Sequence, residues 1–191
     1  MQLQDILKQP ITFRKKVFKL AGNIIHAFDP QQNLVLFVKQ KAFRLKEDIR
    51  VYADKAQSTE MLYIQARKVI DFKAAYDVVD SQTQEKVGAL RRKGWSSMIQ
   101  DQWELLDKED NLIGRISEDS TALAIIRRFL TNLIPQTHSF TVGDSEVATL
   151  KQRFNPFILK SDLSVSSNGL VDPRLILAGA VLLMTIEGRQ Q

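Results

Sequence analysis

The sequence predicts a mainly β protein: a closed antiparallel barrel around a central apolar C-terminal helix, with one further amphipathic helix on the surface. Three observations carry this reading. Most of the chain alternates apolar and polar residues with period two. The alternating runs come in sequence-adjacent pairs separated by polar turns. The run Leu175–Ile186 is apolar on every side of a helix, so it requires burial on every side.

The strands follow in order. "GNIIHAFDPQQNLVLFVKQ" is two apolar runs around the turn "DPQQN". "IRVYAD" puts Ile49, Val51 and Ala53 on one face, and "MLYIQAR" does the same for Leu62, Ile64 and Ala66. "AYDVVD" and "VGALRRKG" flank "SQTQEK"; "SSMIQDQWELLD" and "LIGRISED" flank "KEDN"; "HSFTV" and "EVATLKQ" flank "GDS". With the flanking runs this makes about ten to twelve short strands in adjacent pairs, which implies an antiparallel sheet.

Two segments break the alternation. "STALAIIRRFLTNLIP" spaces Leu123, Ile126, Leu130 and Leu133 as one helix face, with Asp119 or Ser120 to cap it and Pro135 to stop it. The second is "DPRLILAGAVLLMTIEG". Asp172 is a good N-cap, Pro173 suits the first helical position, and Gly188 is a stop. Its apolar run has twelve residues, about 18 Å of helix against the ~20 residues of a membrane span. The helix therefore needs an apolar sleeve within the protein. A barrel closed around it supplies one and removes the sheet edges. A buried helix between two layers is the alternative, because periodicity alone does not close a barrel.

The 191 residues suit one domain, 1–191, with 44% apolar and 26% charged residues in an ordinary globular balance. No period of 20 to 50 residues recurs with visible identity. The absence of cysteine excludes disulfides, Cys–zinc sites and Cys nucleophiles. The opening "MQLQDILKQPITFRKK" lacks the apolar core of a signal peptide, so the expected location is cytoplasmic, with the membrane surface as a peripheral option. A net charge of +5 admits an anionic partner, yet is modest beside nucleic-acid binders, so nucleic acid is not the expected partner.

The stretches "YDVVDSQTQEKVGALRRKGWSSMIQDQWELLDKEDNLIGRISEDS", "RRFLTNLIPQ", "FNPF" and "DPRLILAGAVLLMTIEGRQQ" resemble the LURP-one-related family, which belongs with the tubby C-terminal-like domains and the phospholipid scramblases. The resemblance is clearest from Tyr76 to Gln190. It implies a closed barrel of about twelve strands around the final helix. Tubby domains bind phosphatidylinositol bisphosphate through Lys and Arg on the barrel exterior, and scramblase relatives are associated with calcium-stimulated lipid movement. The resemblance thus implies an anionic phospholipid or phosphoinositide partner, on fold kinship alone. The family's lipid-binding residues do not map onto this chain by motif. Scramblases carry an acidic segment before the final helix; here it reads "DLSVSSNGLVDP", with only Asp162 and Asp172 acidic, too few for calcium.

The candidate headgroup residues are Arg91, Arg92 and Lys93 in "LRRKGW", and Arg14, Lys15 and Lys16 in "FRKKVFK", where Lys19 follows among Phe13, Val17 and Phe18. Three adjacent strand residues point to both faces, so at most two of each group share a side. A third basic group is Lys39, Lys41, Arg44 and Lys46. Solvated hairpin ends account for such charges equally well. Trp95, Ile99, Trp103 and Leu105 fall on one face and are expected in the core, with Asp101 in the same register. His26 and His138 stand apart, and no nucleophile–base–acid set, metal-ligand spacing or phosphate-cradling glycine loop occurs. The expectation is a domain with no catalytic residues, metal or cofactor, binding anionic headgroups at a membrane surface. The alternative is a protein-interaction or scaffold domain whose basic surface has no lipid role.

Overall fold

The computed structural model describes residues 3–18, 22–40, 48–67, 75–93, 102–118, 135–155, 158–166 and 169–187. The strands are β1 (Ile11–Phe18), β2 (Gly22–Phe28), β3 (Leu34–Gln40), β4 (Asp48–Tyr52), β5 (Glu60–Ala66), β6 (Ala75–Asp80), β7 (Lys86–Arg92), β8 (Trp103–Leu106), β9 (Leu112–Glu118), β10 (Thr137–Val142), β11 (Ser145–Arg153) and β12 (Leu159–Val165). A short helix α1 (Leu3–Ile6) precedes them and α2 (Pro173–Glu187) follows. The expected surface helix, and Trp95, Ile99 and Asp101, lie outside the described residues.

Each strand pairs antiparallel with the next, and β12 returns to β1, with Ile11 opposite Leu163 and Lys15 opposite Leu159. The barrel is closed, which excludes the two-layer alternative. Closing a sheet tilts its strands. One inward row shows the tilt, passing from Lys15 through Ile25, Val38, Val51 and Leu62 to Asp80. It begins beside the end of α2 and finishes beside its start.

Helix α2 fills the lumen. Leu175, Ile176, Leu177, Val181, Leu182, Leu183 and Met184 are each 3% exposed or less. At about 1.5–3 kcal/mol for each large side chain, their burial is comparable with the whole stability of a typical domain. The middle of the helix must be narrow. A Cβ on Gly179 would lie 2.8 Å from Cε1 of Phe140 on β10 and 2.9 Å from Cδ1 of Ile116 on β9. Gly88 on β7 lets Leu175 approach, since a Cβ there would lie 3.1 Å from Leu175 Cδ2, and it would also meet the Leu106 carbonyl oxygen at 2.4 Å. Trp103 and Leu105 face inward with this core, as expected.

Both helix ends are satisfied. Asp172 caps the start, its Oδ1 accepting the Arg174 N–H at 2.9 Å. The Arg174 guanidinium bridges Asp172 at 2.6 Å and Asp80 at 2.7 Å, tying the helix start to β6. At the other end, Lys15 Nζ donates to the Met184 carbonyl at 2.6 Å.

The five hairpins β2–β3, β4–β5, β6–β7, β8–β9 and β10–β11 turn at the end where α2 enters, here the entry end; α1 packs there too. The opposite end, where α2 finishes, is the exit end. Four of these hairpins share one design. Asp29, Asp54, Asp80 and Asp107 open them, spaced by 25, 26 and 27 residues. Each carboxylate accepts N–H groups of its own turn, and each turn then passes through a left-handed residue: Gln32, Gln57, Gln84 or Asp110. A bulge follows in every one. The chain therefore contains a structural repeat of about 26 residues that sequence identity does not reveal.

Candidate functional site

The expected headgroup residues are divided by strand parity. On β7, Leu90 is in the core, so Arg91 points outward and Arg92 inward, opposite the buried Trp103. Arg91 Nε donates to Glu104 Oε2 at 2.6 Å, which offsets its charge. Lys93 is exposed just beyond the strand, with its backbone N–H on the Gln102 carbonyl at 2.9 Å. These three residues do not form one cluster.

On β1, Ile11, Phe13 and Lys15 point inward, and Thr12 and Arg14 outward. The expectation that Lys15 belongs to an outer basic surface is corrected: it is fully buried, and its ammonium serves the end of α2. An ammonium in that place is favoured because the helix ends in unpaired carbonyls with partial negative charge. Lys16 lies opposite Ile24; its side chain, and Lys19, Lys41, Arg44 and Lys46, lie outside the described residues.

Barrel closure brings new partners to Arg14. Lys160 on β12 stands directly opposite it, and Arg153 on β11 stands directly opposite Lys160. Directly opposed residues share a face with Cβ atoms about 4.5–5.5 Å apart, and like charges so placed are destabilising. Three cations therefore form one outer row across β11, β12 and β1, with Lys151 two residues from Arg153 on the same face. Asp162 is the neighbouring carboxylate. It accepts from Thr12 Oγ1 at 2.7 Å and from Arg153 Nε. Lys160 and Lys151 have no ion-pair partner among the described residues.

Arg14 is held in place from its own side of the barrel. Its guanidinium carbon is 4.4 Å from the Phe28 ring centroid, and Nη2 donates to Gln32 Oε1. Its Nε is buried without a hydrogen-bond partner. Beyond Arg14 the row continues to His26, which sits between the rings of Phe28 and Phe37.

Several other basic groups on the wall are matched by carboxylates, whereas Lys39, directly opposite Arg50, reaches only Gln57. Arg50 meets Asp48 at 3.0 Å and Glu60 at 2.7 Å. Arg67 meets Asp77 and Asp110, each at 2.6 Å, and Lys86 meets Asp110 at 2.7 Å. The Arg67 and Lys86 hydrogen bonds hold the Asp110 carboxyl below its ordinary range. Asp80 is also held low: burial pushes it up, but Arg174 and the N–H groups of Thr83 and Gln82 outweigh that. The row thus carries three cations against one carboxylate, Asp162, which pairs with Arg153, so that Arg14 and Lys160 have no ion-pair partner among the described residues. Both acids near the final helix are already committed, Asp162 to Thr12 and Arg153 and Asp172 to Arg174. No group of three or more His, Asp or Glu among the described residues is placed to hold a metal ion. No helix among them is long and apolar enough to cross a membrane.

A model of the LURP-one-related family matches residues 34–184. The chain belongs to the LURP-one-related family. A crystal structure of a protein from Arabidopsis thaliana shares the fold, with a TM-score of 0.55 at 14% identity over 96% of this chain and 95% of that one. No curated protein matches. The twelve-strand barrel around an apolar helix expected from the LURP-one-related resemblance is the fold observed. The family match begins at Leu34, so it leaves out β1, and with it Arg14.

Proposed function

We propose that this LURP-one-related chain is a non-catalytic domain that binds anionic phospholipid or phosphoinositide headgroups on the outer face of β11, β12 and β1. The observation that supports this is the row Arg153–Lys160–Arg14. Opposed like charges lower stability, and the row holds a single carboxylate, Asp162, against its three cations, whereas Arg50, Arg91 and the pair Arg67 and Lys86 stand beside carboxylates. A phosphate group would bridge the row with charge-assisted hydrogen bonds, to which the planar guanidinium of Arg14 is well suited.

The test is co-sedimentation with phosphatidylcholine vesicles, with and without phosphatidylinositol bisphosphate, at two salt concentrations. The parent is expected to bind the anionic vesicles and to weaken as salt screens the row. Replacing Arg14, Lys160 and Arg153 together with Gln should cost about 1 kcal/mol per charge, or roughly a hundredfold in affinity. Most of that loss should come from Arg14 and Lys160, since Asp162 already offsets Arg153, and Arg91→Gln should matter less for the same reason, its charge being offset by Glu104. A triple variant that binds as well as the parent would remove this face as the site. A parent that ignores anionic vesicles at physiological salt would leave the scaffold reading in its place.

A further inference from the structure

Three large apolar residues are exposed among the described residues: Leu112 at 47%, Leu170 at 52% and Phe154 at 60%. Single exposed apolar residues are ordinary. Their placement separates these three. Leu112 follows the β8–β9 turn and Leu170 precedes α2, so both lie at the entry end. Phe154 follows the last residue of β11, so it lies at the exit end. It is also next in sequence to Arg153, where the cation row begins. Just beyond it, Asn155 Oδ1 accepts the Ile158 N–H at 3.0 Å.

The turns of the entry end are acidic. The five hairpin turns of the entry end carry Asp29, Asp54, Asp80, Glu85, Asp107, Glu109, Asp110 and Asp144 against Lys55 and Lys108, with Arg174 on Asp80 and Arg67 and Lys86 on Asp110. An anionic surface repels that end and attracts the cation row, so it would orient the barrel before contact. The row itself is tilted, starting at Arg153 by the exit end and climbing through Lys160 to Arg14.

We propose that the barrel docks on an anionic bilayer by its exit end, with the Phe154 ring inserted below the headgroups and the Arg153–Lys160–Arg14 row alongside at phosphate level. This rests on the headgroup reading above and adds to it an orientation and an apolar anchor. A site for a free phosphate compound needs the cations alone; a bilayer uses the ring too.

The experiment compares the parent, Phe154→Ala, Phe154→Trp and Leu112→Ala on phosphatidylcholine vesicles containing phosphatidylserine and phosphatidylinositol bisphosphate. Soluble inositol trisphosphate is titrated in parallel. Phe154→Ala should lose about tenfold or more in vesicle partitioning, with its melting temperature and inositol trisphosphate binding unchanged. Leu112→Ala should partition as the parent does. Phe154→Trp should add an emission component that shifts to the blue on vesicles and is quenched by brominated lipid. Vesicle binding that is equal in Phe154→Ala and the parent, yet salt-dependent in both, overturns the insertion and leaves the headgroup reading standing. An equal loss in Leu112→Ala overturns the orientation. Loss of inositol trisphosphate binding in Phe154→Ala would make the ring part of a headgroup pocket and so overturn the anchor. A parent that binds no anionic vesicle overturns both readings and leaves Phe154 to a protein partner.

Discussion

The buried ammonium of Lys15 donates to the carbonyl oxygen of Met184 at 2.6 Å, joining the first strand to the end of the last helix across 169 positions of sequence. An ammonium inside a barrel is costly unless it is hydrogen-bonded, and the last carbonyls of a helix are costly unless they have donors. Each group answers the other's need. Lys15→Met keeps the volume and removes the donor. It should lower stability by about 1–3 kcal/mol, or roughly 2–12 °C in melting temperature for a chain of this size, and leave vesicle binding unchanged. Weakened vesicle binding at an unchanged melting temperature would return Lys15 to the outer surface and contradict the inward placement.

Gly179 sets the width of the helix inside the sleeve. Gly to Ala in an exposed helix gains up to about 1 kcal/mol. Here the added Cβ meets Phe140 and Ile116, which are both buried and must shift to admit it. Overpacking of this kind costs about 1–3 kcal/mol. Gly179→Ala should therefore destabilise the protein, and Gly179→Leu should prevent a cooperative transition. Urea unfolding decides it, and a more stable Gly179→Ala variant would mean that the lumen is looser than these distances state.

Acid should loosen the start of the helix. Asp80 and Asp110 are held below the ordinary aspartate value. A lowered folded-state value means that the folded protein binds fewer protons than the unfolded chain, so the contribution is complete above the ordinary value of about 3.9 and is lost as pH falls through the lower one. Melting temperature should stay level from pH 7 to about 5 and fall beneath about 4. Asp80→Asn removes one of the two carboxylates that bind Arg174 and should lower the plateau while making the acid fall shallower. Two parallel curves, displaced but equal in shape, would show that Asp80 has no part in the acid response.

Much of this architecture is legible in the sequence, for physical reasons. Alternation at Ile49 and Val51, or Leu62 and Ile64, reports a wall with one apolar side, and those residues line the lumen. Asp172 and Pro173 mark the helix start through local geometry alone. Lys15 was readable too, since it shares parity with Ile11 and Phe13, but a lysine's charge suggests an outer face. The cation row was not readable. Arg14 lies 146 positions from Lys160, and only the closing register of β1 against β12 sets them side by side. The hairpin repeat was hidden for a different reason: a turn needs its opening aspartate and one left-handed residue, and its strands require only alternation.

The pairing of β1 with β12 has a consequence for how the chain is made. Thr12 and Asp162 are 150 residues apart, and at about 5–20 residues per second a ribosome needs roughly 8–30 s to travel between them. Throughout that interval β1 has an open edge, the growing sheet has no plug, and the apolar faces destined for the lumen are wet. The nascent chain is thus an open sheet until Pro173–Glu187 emerges to fill it. A chaperone that shields apolar surface would have its longest opportunity here, and a stalled or truncated translation product would present an unclosed barrel to the cell's proteases.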